Sequence, residues 1–306
     1  MKLSPINQTK LYSLDSHFNE FVKLYDDNRL PNKILLSGLK GIGKCTLAFH
    51  LINYILSKNE DNSYNHKKFS INPENRSFKL ILSGVNPNFN LIDISSDKKN
   101  IDINQIRNLI QNLNKSSFNT KPRFVLIDNI EYLNLNSVNA LLKTLEEPND
   151  NIHFILIHSN KKVISTLLSR CLNFKISLNY KQINEINKNL FNENINDLMN
   201  YDLINYYNTP GNFYNLLNFS KDKEINLKDL DLKDFLSILI KGAYFKEDIK
   251  IKNLLYDMIE FFLLKKISIF YNDLSSYFLK RIEDTKKFNL DEESLFLEFQ
   301  SKLLNE

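Results

Sequence analysis

The sequence predicts an α/β protein in which a parallel-sheet domain with a phosphate-binding loop precedes two helical domains. Three observations lead to this fold class. Short apolar runs alternate with helical patterns over the first 177 residues, which is typical of parallel strand–helix units. A glycine-rich loop ending in lysine separates the first apolar run from the first strong helical pattern. Beyond residue 177 the apolar runs of strand length stop, and amphipathic helical patterns take their place.

The predicted strands are continuous apolar segments rather than alternating ones, as expected for strands that helices cover on both faces. Parallel pairing is expected because the strands alternate with helices at the spacing of parallel α/β sheets. The five segments are KILLSG (33–38), NLIDIS (90–95), RFVLID (123–128), HFILIH (153–158) and CLNFKI (171–176).

The predicted helices of this domain lie between the strands and carry apolar residues at helical spacing. In the third of them, apolar residues from Val138 to Leu145 share one face, and Pro148 ends the helix. The three helical patterns are TLAFHLINYIL (46–56), INQIRNLIQNL (103–113) and SVNALLKTLEEP (137–148).

Shifts in pattern divide the chain into three predicted domains. Residues 1–177 form the parallel-sheet domain, residues 178–222 a small helical domain and residues 227–306 a larger helical domain. The stretch from Lys221 to Asn226 is predicted to link the two helical domains. The polar, turn-rich segment 58–88 is predicted to be an insertion or loop with some helix.

Composition and charge exclude several classes of protein. The net charge of +4 over 306 residues does not predict extensive coating of nucleic acid. Two cysteines, Cys45 and Cys171, are too few for a disulfide scaffold or a four-cysteine zinc site. The start, MKLSPINQTKLYSLD, lacks the pattern of a signal peptide, and Lys265 and Lys266 interrupt the most apolar late segment. We therefore predict a reduced, cytoplasmic protein with no membrane partner.

The stretch SGLKGIGKCTLAFH (37–50) has the spacing of a phosphate-binding loop, with Gly38, four residues, then Gly43 and Lys44. In such a loop, backbone N–H groups at a helix N-terminus point towards phosphate oxygens, and glycines such as Gly41 allow close approach. The lysine reaches the outer phosphates. A plain glycine-rich turn is the alternative, but the strand before the loop and the helix after it favour the phosphate site.

The residue after Lys44 weakens the prediction of nucleotide chemistry. The loop pattern places a Ser or Thr hydroxyl there as a magnesium ligand, and this chain has Cys45, whose thiol is a poor ligand for a hard cation. Thr46 cannot replace it, because one helical step turns a side chain by about 100°. We expect ATP or ADP to bind weakly or not at all, with Mg²⁺ only where nucleotide binds. The alternative for Cys45 is a small buried residue with no role.

A second departure lies in RFVLIDNIEYL (123–133). Asp128, at the end of a predicted strand, stands where a magnesium-side carboxylate belongs. The next position, which carries the Glu that polarises the attacking water in ATPases of this type, holds Asn129. A carboxamide can orient a water but cannot accept its proton. Glu131 lies two positions further on and is not expected to occupy the same point. The two losses together argue against hydrolysis.

The segments FVLIDNIEYLNLNSVNALLKTLEEP and HFILIHSNKKVISTLLSRCLNFKI resemble the AAA+ clamp-loader family, and most closely its delta-prime subunits of bacterial DNA polymerase III. NALLKTLEEP and the triplet Ser169-Arg170-Cys171 are the most specific parts. The resemblance is strong over residues 30–177, moderate to about residue 220, and limited to helix layout beyond. It implies an AAA+ domain, a helical lid and a C-terminal helical collar that joins a five-membered ring. Such a ring, with ATPase motor subunits and a delta subunit, opens a sliding clamp and places it on primed DNA.

The resemblance also implies roles for individual residues. Ser159 and Asn160 stand where sensor residues follow the fourth strand, and Asn212 stands where the lid often carries an Arg. Arg170 would act in trans as an arginine finger, reaching the ATP of a neighbouring subunit. A surface Arg in an ordinary loop salt bridge is the alternative. Cys171 is interpreted as a small buried residue. Many delta-prime subunits carry a four-cysteine zinc module after the first helix, and this chain has none there, so zinc is not predicted.

These expectations converge on a mainly non-hydrolysing ring member that serves its neighbour's ATP site. One alternative is the ATP-hydrolysing motor subunit of the clamp loader, which would have Ser or Thr at position 45 and Glu at position 129. Another is a different AAA+ DNA-replication ATPase or a separate DNA-binding protein, which would carry a basic or helix-turn-helix domain. The mixed charges of the C-terminal helices instead predict partner packing, with any DNA contact made through the assembled ring.

Overall fold

The computed structural model describes residues 4–94, 100–115, 119–146, 151–159, 165–206, 209–247, 249–266 and 272–305. The chain divides into two compact units. The first consists of Met1–Ile186 and Thr209–Gly211, and the second of Asn187–Asn208 and Asn212–Glu306. The boundaries of the three predicted domains stay a prediction.

The first unit contains a five-stranded parallel sheet, which confirms the fold class and all five predicted strands. Its order is β2-β3-β4-β1-β5, so the first strand in sequence lies between the last two. Each strand ends within a few residues of its predicted position. The strands are β1 (Lys33–Ser37), β2 (Phe89–Ile92), β3 (Arg123–Ile127), β4 (Ile152–His158) and β5 (Leu172–Lys175).

Seven α-helices accompany the sheet in the described residues up to Phe191. The three predicted helices are confirmed as α2, α4 and α5, and Pro148, predicted to end α5, lies outside the described residues. The helices are α1 (Asp15–Asp26), α2 (Lys44–Ser57), α3 (Arg76–Leu82), α4 (Ile103–Leu113), α5 (Leu135–Glu146), α6 (Ser165–Leu168) and α7 (Tyr180–Phe191).

The continuous apolar character of the strands follows from helices on both faces of the sheet. In β3, Phe124 and Leu126 belong to one core with α1 and α2, whereas Val125 and Ile127 belong to a second core with α4 and α5. All four side chains are fully buried. Alternate residues of a strand point to opposite faces, so an apolar residue is needed at every position.

Arg123 joins the start of β3 to the end of α4. Its Nη1 donates hydrogen bonds to the carbonyl oxygens of Leu113 at 2.9 Å and Lys115 at 3.1 Å, and its Nη2 donates to that of Asn112 at 2.6 Å. Carbonyl oxygens in the last turn of a helix lack their usual partner four residues on, and a cation is favourable at a helix C-terminus. The arginine therefore fixes the helix end against the sheet.

Segment 58–88 folds onto the first core and contains the short helix α3, in agreement with the prediction of some helix. Tyr64, Ile71 and Phe78 are buried in that core. The Asn75 side chain accepts a hydrogen bond from the Phe78 N–H at 2.8 Å and so caps α3. Among the described residues, no group of three or more His, Cys, Asp or Glu side chains could hold a metal ion. The segment is held by apolar burial and amide hydrogen bonds.

The second unit is built from helices, as predicted. Its core is rich in phenylalanine and leucine, with Phe235, Leu239, Phe278 and Phe296 fully buried. Within the described residues, no helix is both long and apolar enough to cross a membrane. The helices are α8 (Ile195–Leu198), α9 (Tyr201–Tyr206), α10 (Pro210–Asp222), α11 (Leu232–Lys241), α12 (Ile249–Lys266), α13 (Asn272–Phe288) and α14 (Glu292–Phe299), followed by a π-helical turn (Gln300–Leu304).

Candidate functional site

The predicted phosphate-binding loop connects the carboxyl end of β1 to the first turn of α2. Gly43 stands immediately before the helix with φ of 93°, a left-handed conformation that glycine adopts at no steric cost. Gly38 has φ of 149°, and a Cβ there would lie 2.3 Å from the carbonyl oxygen of Ile176. The backbone therefore requires glycine at both places. The free N–H groups at the start of α2 are the anion-binding element of such a loop.

Lys44 is buried, and its ammonium group contacts the loop's own backbone. Nζ donates to the carbonyl oxygens of Gly38 at 2.9 Å and Leu39 at 2.6 Å, and lies 3.5 Å from Oγ of Ser159. Burial lowers the pKa of Lys44 to about 8, although the carboxylates of Asp128 and Glu131 favour its charged form. The loop thus satisfies its lysine internally. Asn160, the other predicted sensor residue, lies outside the described residues.

Cys45 and Asp128 contact each other at the magnesium-side corner of the site. Burial and the neighbouring Asp128 carboxyl group raise the pKa of Cys45 well above its ordinary value. The thiol is therefore a neutral donor. Burial and the nearby Asp93 carboxylate raise the pKa of Asp128 to about 6. The following residue, Thr46, lies half-buried in the first turn of α2.

Asn129 occupies a left-handed turn directly after Asp128, with φ of 59° and ψ of 48°. Its side-chain Nδ2 donates a hydrogen bond of 2.9 Å to Oδ1 of Asp93, at the end of the neighbouring strand β2. Asparagine is one of the few residues other than glycine that adopt this conformation readily. Sequence reasoning missed Asp93, because the predicted strand 90–95 extended past it, whereas β2 ends at Ile92.

Glu131 lies in the 3₁₀ turn Ile130–Tyr132 and interacts electrostatically with both Lys44 and His158. Its Oε2 is buried without a hydrogen-bond partner among the described residues. Burial lowers the pKa of His158, which therefore stays neutral at pH 7. Glu131 thus favours the charged form of Lys44, although it follows Asp128 by three positions.

Arg170 lies in the turn between α6 and β5, at the opposite end of the sheet from the phosphate loop. β5 runs parallel to β1, and Leu172 pairs with Ile34 near the start of β1, whereas the loop follows the end of β1. The two ends are separated by on the order of 13 Å of strand, at about 3.3 Å per residue. Arg170 therefore does not belong to the chain's own phosphate site.

The guanidinium group of Arg170 is hydrogen-bonded within the chain. Nε lies 3.0 Å and Nη2 2.5 Å from Oε1 of Glu146, and Nη1 donates to the carbonyl oxygen of Thr166 at 2.9 Å. This is the salt bridge of the alternative interpretation. Next to it, Cys171 is partly buried against the second core, and burial raises its pKa to about 11, in keeping with an unreactive thiol.

Gly211 is a further residue beside the loop that sequence reasoning missed. It groups with the first unit, and its N–H donates to the carbonyl oxygen of Gly41 at 2.9 Å. A Cβ on Gly211 would lie 2.7 Å from Cα of Gly41. The approach of two backbones explains the glycine in TPGNFYNLL. Asn212, the next residue, groups with the second unit.

Comparison with known proteins identifies the family. A family model described as "DNA polymerase III, delta subunit" matches residues 14–179, more than half of the chain. DNA polymerase III subunit delta' of Pseudomonas aeruginosa is 29% identical over 139 residues, which are 45% of this chain and 40% of that protein. Subunit gamma of Buchnera aphidicola subsp. Acyrthosiphon pisum is 28% identical over 284 residues, or 88% of this chain and 76% of that protein.

The matched length differs among relatives, and a solved structure supports the fold. Subunit gamma of Buchnera aphidicola subsp. Schizaphis graminum is 34% identical over 145 residues, 47% of this chain and 38% of that protein. The chain thus spans less than half the length of several curated relatives that it matches. The crystal structure of a DNA polymerase III gamma subunit-related protein from Thermotoga maritima has a TM-score of 0.52 at 15% identity, covering 92% of this chain and 97% of that chain. The chain therefore belongs to the DNA polymerase III clamp-loader family of delta-prime and gamma subunits, with an AAA+ fold.

Proposed function

We propose that this chain is a delta-prime-like, mainly non-hydrolysing member of the clamp-loader ring and presents Arg170 to ATP bound by a neighbouring subunit. The observation that carries the proposal is the place of Arg170, at the end of the sheet opposite the chain's own loop. An arginine in this place cannot serve the chain's own phosphates. Its planar guanidinium is suited to the charge that develops on a transferred phosphoryl group.

The chain's own loop supports the non-hydrolysing part of the proposal. Magnesium prefers oxygen ligands. The magnesium side of this loop instead offers the neutral Cys45 thiol and, beside it, the carboxyl group of Asp128, whose pKa is raised to about 6. This donor set fits Mg²⁺ poorly. The position next to Asp128 is an amide already hydrogen-bonded to Asp93, so it offers no base for water. ATP or ADP would bind weakly or not at all, because the ammonium group of Lys44 is already hydrogen-bonded to carbonyl oxygens of its own loop.

The partners follow from the proposed role. They are the ATPase motor subunits and the delta subunit of the ring, and, through the assembled complex, the sliding clamp and primed DNA. The chain would work in the cytoplasm, and contacts to DNA would be made to phosphates by the ring as a whole.

ATP turnover by the assembled clamp loader tests the arginine finger. Arg170→Ala should lower turnover at the neighbouring site by a factor on the order of 10³, as for arginine fingers in other phosphoryl-transfer enzymes. Arg29→Ala is the matched control, because Arg29 is also exposed and paired, with Asp27 at 3.0 Å. Lys44→Ala should change turnover less than about twofold, since its loop performs no catalysis. Equal turnover in wild type and Arg170→Ala would exclude the finger.

The motor-subunit alternative keeps one observation in its favour. Glu131 brings an unpartnered carboxylate oxygen near Lys44, and a carboxylate is the group that position 129 lacks. Steady-state ATP turnover by the purified chain with magnesium, beside a Cys45→Thr, Asn129→Glu double variant, separates the two functions. We expect no measurable ATP turnover by the natural chain. Turnover at ordinary ATPase rates, lost in Glu131→Gln, would favour the motor subunit.

A further inference from the structure

In the isolated chain Arg170 is already bound to a carboxylate of its own subunit. Nε and Nη2 both contact Oε1 of Glu146, the last residue of α5, at 3.0 and 2.5 Å. The third guanidinium nitrogen donates to the carbonyl oxygen of Thr166 at 2.9 Å and lies 3.5 Å from Oγ of Ser169. All three nitrogens are thus engaged inside the chain, and the plane of the guanidinium is fixed.

The pair is nevertheless accessible to a competing anion. The side chains of Arg170 and Glu146 are 32% and 51% exposed. An exposed ion pair stabilises its bound form by no more than about fivefold, because water and salt screen both charges. A nucleoside triphosphate presents several oxygens and more than one negative charge, so it competes well for an arginine fork. The ion pair with Glu146 can therefore favour the internal position of Arg170 and still allow the guanidinium to move to a competing phosphate.

We propose that Glu146 is a latch, which keeps Arg170 folded against its own subunit until ATP in the neighbouring subunit competes for the guanidinium. The inference rests on the proposed function, since a latch matters only if Arg170 acts in trans. Docking of Arg170 on the neighbour's phosphates breaks the contacts to Glu146. Part of the ATP binding free energy at that site is spent on opening the latch, which raises the ATP concentration needed for turnover.

A different role for Glu146 makes a different prediction. If Glu146 oriented Arg170 towards the neighbour and stayed bound to it in the active complex, its removal would lower kcat. A latch that is open at saturating ATP leaves kcat unchanged and affects KM. Whether removal of Glu146 changes KM or kcat therefore distinguishes a latch from a residue that orients Arg170 in the active complex.

The experiment is ATP turnover against ATP concentration in the assembled clamp loader carrying Glu146→Gln, which removes the charge but keeps the shape. We expect KM for ATP to fall about two- to fivefold with unchanged kcat, and Glu146→Asp, which keeps the charge, to stay near wild type. Glu74→Gln is the control, because it removes an exposed carboxylate paired with Lys79 in the same unit. Melting curves verify that each variant is folded.

The double variant Glu146→Gln, Arg170→Ala separates failure of the latch from failure of the finger. It should behave like Arg170→Ala alone, because the latch acts only through the arginine. If Arg170→Ala lowers turnover but Glu146→Gln leaves KM unchanged or lowers kcat, the finger stands and the latch is overturned. If Arg170→Ala has no effect, both proposals are overturned.

Discussion

The side-chain amide of Asn129 donates a 2.9 Å hydrogen bond to Asp93 and so joins the carboxyl ends of β3 and β2. Asn129 has φ of 59°. Two features favour asparagine directly after Asp128: the left-handed backbone conformation and the hydrogen bond to Asp93. An acidic residue at position 129 would face the carboxylate of Asp93 and strain the turn.

Replacing Asn129 by Glu should lower the free energy of unfolding by about 2–4 kcal/mol, because a hydrogen bond becomes a repulsion and the turn is strained. Asp93→Asn in the same chain should restore about half of the loss, since an amide at position 93 can donate to the new carboxylate. Asn28→Glu isolates the backbone cost, because exposed Asn28 has φ of 55°. Urea denaturation measures all four chains. A stable single variant, or no rescue by the second change, contradicts the assigned pairing.

Asp128 should make the protein less stable as the pH rises. Its pKa is raised to about 6 in the folded chain by burial and Asp93, against about 4 when unfolded. Between these values the folded state holds the proton more tightly, so ionisation opposes folding by up to about 3 kcal/mol. The unfolding free energy of Asp128→Asn, relative to that of wild type, should rise between pH 4 and pH 6, and the difference should stay constant above pH 6. A constant difference in unfolding free energy across this range would refute the pKa assignment.

His50 should have the opposite pH dependence. It is buried, its Nδ1 lies 2.9 Å from the hydroxyl of Tyr64, and its Nε2 lies 3.1 Å from the carbonyl oxygen of Gln8, which can only accept. Burial lowers its pKa to about 4, against about 6.5 when unfolded. The unfolded chain therefore binds the extra proton, and stability is lost as the pH falls from 6.5 to 4. His50→Gln should lose less stability than wild type over that fall, and parallel curves would contradict this.

Gly211→Ala should destabilise the first unit, although alanine usually stabilises a helix relative to glycine by about 0.5–1 kcal/mol. The added Cβ would lie 2.7 Å from Cα and 3.0 Å from the carbonyl oxygen of Gly41, and backbone atoms cannot turn aside. We expect a loss of about 1–3 kcal/mol in unfolding free energy. Thermal and urea unfolding give the sign directly, and an increase in stability would show that this approach is absent in solution.

Metal chelation should leave the protein folded. Segment 58–88 is held by buried Tyr64, Ile71 and Phe78 and by the Asn75 cap of α3. We expect EDTA in excess to shift the melting temperature by less than about 1 °C, because metal contributes to stability only where it binds the native state. A lower melting temperature with EDTA that added Zn²⁺ restores would reveal a structural metal. Tyr64→Ala should be destabilising with or without chelator.

The strands and loop could be predicted from sequence because their signals are local. Continuous apolar runs predicted all five strands, and the glycine spacing placed Gly38, Gly43 and Lys44 at the junction of β1 and α2. The substitution at Cys45 could be interpreted chemically for the same reason. Predictions of this kind need only the neighbouring residues in the chain.

The contacts that define the site could not be predicted, because they join residues far apart in sequence. Asn129 meets Asp93 and Arg170 meets Glu146 only after the sheet has aligned the strand ends and helix ends. Gly211 was not predicted, because its packing on Gly41 depends on two distant backbone segments meeting. Single-sequence patterns carry no information about such pairs.

The strand order determines when β1 can pair with its neighbours during synthesis of the chain. Among the described strands β1 pairs with β4 and β5, so the strand that leads into the phosphate loop meets these partners after residues 152–158 and 172–175 have left the ribosome. At about 5–20 residues per second, synthesis of the residues between the end of β1 and the ends of these two strands takes about 6–28 s. During it the apolar segment KILLS stays exposed to chaperones and to other nascent chains. The loop that follows β1 is thus among the last parts of the first unit to acquire its native shape.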